Sequence, residues 1–230
     1  PEPDPVSSFK ERKRLFDEVK GWDHYNTKLL SKGGRIFNRN EKVLSLTPEI
    51  QKRFDLPKDK ATPAELIRAI LKARTDLIWF GGIGTYVKAT KETHIDVGDK
   101  ANDALRVNAS EIRARVIGEG ANLALTQLGR IELSEKGVRL NTDFVDNSGG
   151  VDSSDHEVNI KILLTDVMGS KKHNMDIKAR NVLLKKMTEE VASHVLRHNY
   201  QQAQAVSLAE LQARENLQLH EDFIEDLERE

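Results

Sequence analysis

Three glycine-rich segments follow short apolar runs, and they are the residues of this sequence best suited to bind a ligand. They are Gly81-Gly82-Ile83-Gly84, Gly118-Glu119-Gly120-Ala121-Asn122 and Asn147-Ser148-Gly149-Gly150. Glycine leaves the backbone open to close approach, and successive free N–H groups can hold a phosphate or a carboxamide. The alternative for any one segment is that glycine only makes a tight turn. Three such segments at successive strand ends make ligand binding an equal alternative, because parallel sheets bind ligands beyond the carboxyl ends of their strands.

Two of these segments begin like the G-x-G-x-x-G fingerprint for a dinucleotide pyrophosphate, but neither completes it. Val87 stands where the segment starting at Gly82 needs its third glycine, and Leu123 stands there in the segment starting at Gly118. The third glycine lets the next helix pack closely on the strand. We therefore predict that neither segment is the pyrophosphate site.

Histidine and serine residues offer weaker alternatives. His194 and His198 lie four residues apart on a predicted helix, but Val195 replaces the glutamate of the zinc-protease motif and no third ligand is evident. No metal site is therefore predicted. The sequence around Ser148, Ser153 and Ser154 has no G-x-S-x-G elbow, which argues against a hydrolase.

The elements that position the glycine segments alternate between strand and helix. Strands are predicted at residues 76–80, 112–117 and 138–145, and helices at 96–107 and 123–136. The first strand is apolar enough to be buried on both faces, and Gly137 is placed as a left-handed helix C-cap. Because this alternation builds an open parallel sheet with helices on its faces, the predicted fold class is α/β.

The regions on either side of this alternation have other patterns. Residues 1–60 predict an irregular arm with short helices, and residues 61–165 predict the sheet domain. Two helix starts are expected at Thr47-Pro48 and Thr62-Pro63, the second with a capping box to Glu65. The chain turns helical after Val151, and residues 166–230 predict a helical segment. Its apolar stripes, such as Leu219, Phe223 and Leu227, are expected to pack in the core.

Composition excludes several classes of protein. The 230 residues carry 36 basic and 37 acidic side chains, so a generally basic surface for nucleic acid is not expected. There is no cysteine, which excludes disulfides and suits the cytoplasm. No apolar run approaches the roughly 20 residues of a membrane helix. The chain begins at Pro1 without methionine and ends within a helical pattern, so we predict a piece of a longer protein.

Two of the glycine segments resemble one enzyme family. Val116-Ile117-Gly118-Glu119-Gly120-Ala121-Asn122 resembles the V-A-E-G-A-N segment of the glutamate dehydrogenase superfamily, and Asp143-Phe144-Val145-Asp146-Asn147-Ser148-Gly149-Gly150-Val151 resembles its D-x-x-x-N-A-G-G-V segment. The stretches 76–88 and 97–103 are similar to the large bacterial NAD-specific members. The resemblance covers essentially the whole chain.

The resemblance implies the distal part of an NAD-binding domain, with a partial Rossmann-like parallel sheet, flanking helices and a C-terminal helical segment. The implied reaction converts L-glutamate, NAD and water into 2-oxoglutarate, ammonia and NADH. Candidate NAD contacts are Gly82, Gly84, Gly120, Asn122 and Asn147. Glycines offer backbone approach, and the asparagine amides suit a carboxamide or a ribose hydroxyl. We expect a homo-oligomer for the full-length protein.

The family's substrate-carboxylate serine falls on Ser154, counted from Asn147. Asp152 and Asp155 depart from the family's apolar neighbours and would repel glutamate if they faced it. A helix N-cap role for Ser153 or Ser154 is an equal alternative.

No segment matches the family's catalytic lysine, its catalytic acid or its complete phosphate fingerprint. The resemblance therefore implies that these residues lie upstream, with no catalytic residue in this chain and no turnover by the isolated piece. The alternative from another class is a noncatalytic nucleotide-binding or protein-interaction module that uses the same three segments.

Overall fold

The computed structural model describes residues 2–170 and 175–229, and its fold is α/β, as predicted. The helices are α1 (Pro5–Asp17), α2 (Pro48–Phe54), α3 (Pro63–Leu71), α4 (His94–Val97), α5 (Gln127–Glu135), α6 (Asp143–Asp146), α7 (Ser148–Gly169), α8 (Ile177–Gln212) and α9 (Leu217–Arg229). The strands are β1 (Leu44–Ser45), β2 (Lys60–Ala61), β3 (Thr75–Phe80), β4 (Val87–Lys88), β5 (Val107–Asn108) and β6 (Ala114–Glu119).

The chain forms two compact units. Unit 1 contains the residues up to Ile117 together with Leu123–Leu140, and unit 2 contains Gly118–Asn122 together with the chain from Asn141 onward. Strand β6 therefore begins in unit 1 and ends in unit 2. The chain crosses from one unit to the other three times.

The strands of the described residues pair two by two. β1 and β2 are antiparallel, whereas β4 and β5 are parallel with Val87 opposite Val107. β3 pairs with β6. Two isolated parallel bridges join Val87 to Leu125 and Val116 to Arg139. Parallel pairing is thus present, but it is divided among short elements.

The core of unit 1 is apolar and closely packed. Leu133 of α5 and Val87 of β4 are fully buried, and Phe80 and Ile117 bring β3 and β6 into the same cluster. A second cluster forms around Leu44 between β1, α2 and α3. At about 25 cal/mol per Å² of apolar surface removed from water, such side chains each contribute roughly 1.5–3 kcal/mol.

The predicted helix ends are confirmed. Thr47 and Thr62 accept hydrogen bonds from the third residue of α2 and α3, and Glu65 completes the capping box. After α5, Gly137 has a φ of +80°. Its N–H donates to Ser134 O and the next N–H donates to Leu133 O, which is a Schellman motif.

The predicted third strand is mostly wrong. Within 138–145, Arg139 forms a single bridge to Val116, and α6 begins at Asp143. The strand does not form because Thr142 and Asp143 interrupt the apolar run. Both residue types are favoured at the start of a helix. Asn147 is therefore followed by a helix, and the third glycine segment is the first turn of α7 and not a turn after a strand.

The predicted helix at 96–107 is also wrong. Only the short helix α4 and a 3₁₀ turn at Lys100–Asn102 form there. Gly98 ends α4 with a φ of +72°, and the next residue, Asp99, turns its carboxylate to other backbone groups. Side-chain bonding to the backbone competes with helix formation at such positions.

Strand β3 is covered on one face only, in contrast to the predicted burial of both. Ile78 and Phe80 pack against the core cluster. Leu77 and Trp79, which point the other way, are 53% and 60% exposed. Successive side chains of a strand face opposite sides, so one face of β3 is left uncovered by the described chain.

Helices α8 and α9, with the end of α7, lie in the predicted C-terminal helical segment, whereas most of α7 lies before residue 166. The prediction that its apolar stripes lie in the core is wrong for α9, where Leu219, Phe223 and Leu227 are all more than half exposed. On α7, Leu164 is buried, whereas Ile162 is exposed. Within the described residues, no helix combines the length and apolar character needed to cross a bilayer.

A buried carboxylate ties α1 to the segment that follows it. Glu11 Oε1 accepts from the Asn26 N–H and from Arg14 Nη2, both at 2.7 Å, and its Oε2 accepts from Arg14 Nε at 3.0 Å. The hydrogen bonds from the Arg14 side chain, followed by the one from Asn26, lower the pKa of Glu11 from 4.5 to about 2.

We expect the contribution of Glu11 to stability to depend on acid pH. Because the folded pKa lies below the unfolded pKa, the stabilisation is complete above about pH 5 and is lost as the pH falls towards 2. Urea unfolding followed by the fluorescence of Trp22 and Trp79, which both lie in unit 1, measures this dependence. Glu11→Gln, which cannot ionise, should flatten the acid slope; an unchanged slope would contradict the assignment.

Candidate functional site

The turn after β3 is held by a partly buried polar network in unit 1. The Thr85 N–H donates to Asp99 Oδ2 at 2.8 Å, and Asn102 Nδ2 donates to the same oxygen at 2.7 Å. The Thr85 N–H bond, followed by the one from Asn102, lowers the pKa of Asp99. The carboxylate is therefore charged at neutral pH and fixes the end of the turn.

Arg106, the residue before β5, completes this network. Its side chain is fully buried; Nε donates to Thr85 O at 2.9 Å, and Nη2 donates to Asp99 O at 2.6 Å. Nη1 pairs with Asp103 Oδ1 at 2.5 Å and lies 2.8 Å from His94 Nδ1. Every polar group of the guanidinium thus faces a partner, as burial of a charge requires.

The two predicted glycines of this turn differ in their surroundings. Gly84 has a φ of +123°, and a β-carbon there would overlap Asn102 Nδ2 and lie 3.2 Å from Tyr86 Oη. Glycine at position 84 is therefore required by the fold itself. A β-carbon at Gly82 would meet nothing within 4 Å, and Gly82 is exposed. The open backbone at Gly82 leaves room for a ligand.

A second candidate region joins the end of β6 to the start of α7, within unit 2. The Glu119 N–H donates to Asp146 Oδ2 at 2.9 Å, and Asn147 Nδ2 lies 3.5 Å from Glu119 O. Asn141 Nδ2 donates to the other oxygen of Asp146 at 3.1 Å. The structure thus brings together two segments that are about 28 residues apart in the sequence.

Asn147 occupies the N-cap position of α7. Its side chain makes no capping hydrogen bond, so its amide is not committed to the helix. Asn199 of α8 supports this region, because its Nδ2 donates to Val145 O and to Ser148 Oγ, both at 2.9 Å. The backbone on either side of Asn147 is therefore fixed while its amide remains half-buried.

The turn after β6 carries Gly120 and Asn122 and is open to solvent. Gly120 is half-buried and Asn122 is exposed. The next residue, Leu123, has a φ of +60°, a left-handed conformation that is strained for leucine. Val19 and Asp55 in unit 1 have the same left-handed conformation, so the strain at Leu123 is not specific to this turn.

Ser154 lies farther along α7 than the sequence suggested. It is exposed and stands in the second turn of the helix, so neither it nor Ser153 is the N-cap; Ser153 Oγ instead donates to Gly149 O at 2.7 Å. The alternative of an N-cap role for these serines is therefore wrong. Seven residues are about two helical turns, which puts Ser154 and Asn147 on one side of α7 and Asp152 on roughly the opposite side.

The sequence predictions missed three features of these regions. They did not identify Asp99 and Arg106, whose contacts with Thr85 span 14 and 21 residues, or Asn199, whose partners lie more than 50 residues away. For the pair His194 and His198, the sequence indicated no third metal ligand. The structure puts Asp152 and His156 beside this pair. Only the paired spacing of these histidines gave a signal in the sequence.

A groove of about 650 Å³ in unit 1 lies between the 55–61 segment and α3. It is lined by charged side chains that include Arg68, Lys72 and Glu111. None of the predicted NAD or substrate contacts lines this groove. The groove is therefore separate from the predicted site.

Comparisons with known proteins agree on one family. The model of the catalytic domain of bacterial NAD-glutamate dehydrogenase matches residues 1–209. NAD-specific glutamate dehydrogenases of Pseudomonas aeruginosa and Halomonas elongata are 55% and 53% identical over 229 residues, or 99% of this chain. The Mycobacterium tuberculosis protein of that name is 43% identical over 227 residues, or 96% of the chain.

The chain spans 14% of the length of each of these relatives. The matching family model nevertheless covers most of the chain, and both glycine-bearing motifs that carried the resemblance lie inside it. The chain therefore belongs to the bacterial NAD-glutamate dehydrogenase family and corresponds to part of its catalytic domain.

Proposed function

We propose that this chain is part of an NAD-dependent glutamate dehydrogenase and lines part of its NAD cleft. The reaction converts L-glutamate, NAD and water into 2-oxoglutarate, ammonia and NADH. The observation that carries the proposal is the contact between the end of β6 and the start of α7, where Asp146 and Asn147 meet Glu119. It joins the two segments on which the family resemblance rests.

The residues at these positions fit a dinucleotide. NAD, when bound, supplies the carbon that accepts hydride from the substrate. Gly82 offers a backbone with no neighbour within 4 Å of its β-carbon position. Asn147 offers an amide not used in capping, which suits a ribose hydroxyl or the nicotinamide carboxamide. Gly84, Gly120 and Asn122 complete the proposed set.

Ser154 is the proposed contact to the substrate carboxylate. It is exposed and shares a side of α7 with Asn147, which supports one binding surface for cofactor and substrate. The charge of Asp152 would repel glutamate if its side chain faced the substrate. Its carboxylate instead lies beside two histidines on the other side of the helix, 2.8 Å from His198 Nδ1.

The rest of the proposal concerns the longer protein. We infer that the catalytic residues lie outside this chain, that the full-length enzyme is a cytoplasmic homo-oligomer, and that residues 61–165 belong to the NAD-binding domain. Residues 1–60 and 166–230 would flank that domain as an arm and a helical segment.

A segment exchange tests the proposal. The matching segment of the Pseudomonas aeruginosa enzyme, 55% identical, is replaced by this chain. We expect the chimera to form NADH from glutamate. Asn147→Ala in the chimera should lower kcat/KM for NAD about three- to tenfold, because one neutral hydrogen bond to the cofactor is worth about 0.7–1.4 kcal/mol.

Asn159→Ala is the matched control, since Asn159 lies on the same helix and its amide donates only to Asp155 O among the described contacts. It should leave kcat/KM unchanged. A folded chimera that binds NAD without oxidising glutamate would favour the noncatalytic module instead. Equal effects of the two asparagine variants would remove Asn147 from the site.

A further inference from the structure

We propose that Asp152, His156 and His198 form a binding site for a divalent transition-metal ion of the zinc type. Asp152 and His156 are four residues apart on α7, and His194 and His198 are four residues apart on α8. Residues at this spacing lie on one face of a helix. Each helix therefore presents a pair of metal-ligating side chains.

The packing of α7 on α8 brings the two pairs together. His198 Nδ1 lies 2.8 Å from Asp152 Oδ2, and His156 Nδ1 lies 3.2 Å from Asp152 Oδ1. The ring centroids of His156 and His198 are 5.8 Å apart, and His194 is about 6 Å from both. Metal sites in helical bundles are built in this way, from inward side chains of facing helices.

The distances between the ligand atoms suit a small ion. One donor atom from each of Asp152, His156 and His198 lies within 4.8 Å of the others. A tetrahedral zinc ion with bonds of about 2.0–2.1 Å requires its ligand atoms to be roughly 3.3 Å apart. The two short contacts use different oxygens of Asp152, Oδ2 for His198 at 2.8 Å and Oδ1 for His156 at 3.2 Å. Small rotations of the side chains would direct one donor atom of each residue at a shared ion.

The chemistry of the donor set narrows the class of ion. Two imidazoles and one carboxylate suit zinc and its neighbours in the first transition row, whereas magnesium and calcium prefer oxygen ligands. Asp152 is 17% exposed, and His156 and His198 are 27% and 40% exposed. An ion can therefore enter from solvent, and a water molecule can complete its coordination.

Such an ion would fasten the beginning of α7 to α8. Asn199, the residue after His198, already donates hydrogen bonds to Val145 O and Ser148 Oγ. The ion would strengthen this attachment about one helical turn farther along α7. We assign it a structural role that supports the segment containing Asn147.

Calorimetric titration with zinc chloride tests the site directly. The 230-residue chain is used without a polyhistidine tag and after treatment with a chelator. We expect one zinc ion per chain, no competition from excess magnesium, and an affinity at least about tenfold weaker in His156→Ala and His198→Ala. The exposed His220 on α9 supplies the matched control, and His220→Ala should bind zinc like the unaltered chain.

A second measurement does not depend on the folding of a variant. X-ray absorption at the zinc edge of the loaded, unaltered chain should show two imidazole ligands. Binding without histidine ligation, equal binding by His198→Ala and His220→Ala, or no saturable zinc binding would each overturn the proposal. Circular dichroism of each variant shows whether a lost affinity reflects a lost ligand or a lost fold, and Asp152→Asn, nearly identical in shape, should also weaken binding.

Discussion

Arg106→Met should lower the free energy of unfolding of unit 1 by about 2–4 kcal/mol, because the hydrogen bonds of a buried charged donor to two backbone carbonyls and one carboxylate are lost. The guanidinium is fully buried and donates to Thr85 O, Asp99 O and the Asp103 carboxylate. Methionine fills similar space but donates no hydrogen bond, so these acceptors would lose their partner. Urea unfolding followed by the fluorescence of Trp22 and Trp79 measures the change.

Two further variants distinguish the loss of the Arg106 hydrogen bonds from the loss of one positive charge. Arg115 pairs with Asp76, and both side chains are more than 80% exposed. Arg115→Met should therefore change stability by less than about 1 kcal/mol. Arg106→Lys keeps the charge but not the planar set of donors, so its effect should be intermediate. If Arg106→Met costs no more than Arg115→Met, the network does not hold the turn.

Gly84→Ala should be the next most damaging change, with a loss of about 2–3 kcal/mol. A φ of +123° is unfavourable for alanine, and the added carbon would lie 3.1 Å from Asn102 Cγ and overlap its nitrogen. Asn102 cannot move freely because its amide holds Asp99. The same urea titration measures the loss.

Gly82→Ala is the matched control two residues away. Its added carbon meets nothing within 4 Å, and Gly82 has no left-handed φ, so stability should change by less than about 0.5 kcal/mol. Equal losses for the two variants would mean that Gly84 is not held as described. The comparison thus distinguishes a glycine required by the fold from one whose open backbone is available to a ligand.

Local signals in the sequence predicted local structure well. Thr62, Pro63 and Glu65 specify a helix start through bonds between residues three apart, and the structure contains each of those bonds. The end of α5 at Gly137 is also a local feature. A glycine in the left-handed conformation ends a helix without help from distant contacts. The strand-to-glycine sequence at 76–84 also predicted β3 and its turn.

Features set by distant contacts were not predictable in this way. The apolar run from Val138 predicted a strand, but only Arg139 finds a partner in β6. The burial of β3 on one face depends on which elements cover it, which no pattern within β3 encodes. The neighbours of the histidine pair on α8, Asp152 and His156, come from α7 and depend on how the two helices pack. In each case the structure depends on which segments contact one another, and the residues within one segment do not determine that.

Unit 2 is discontinuous along the chain, and this has a practical consequence for dissecting the protein. Its Gly118–Asn122 piece is separated from the remainder by 123–140, which folds with unit 1. A product that starts at Asn141 would retain Asp146 and Asn147 but would lack the Glu119 backbone that both side chains contact. Boundaries for expression or proteolysis should therefore keep β6 and α7 in the same polypeptide.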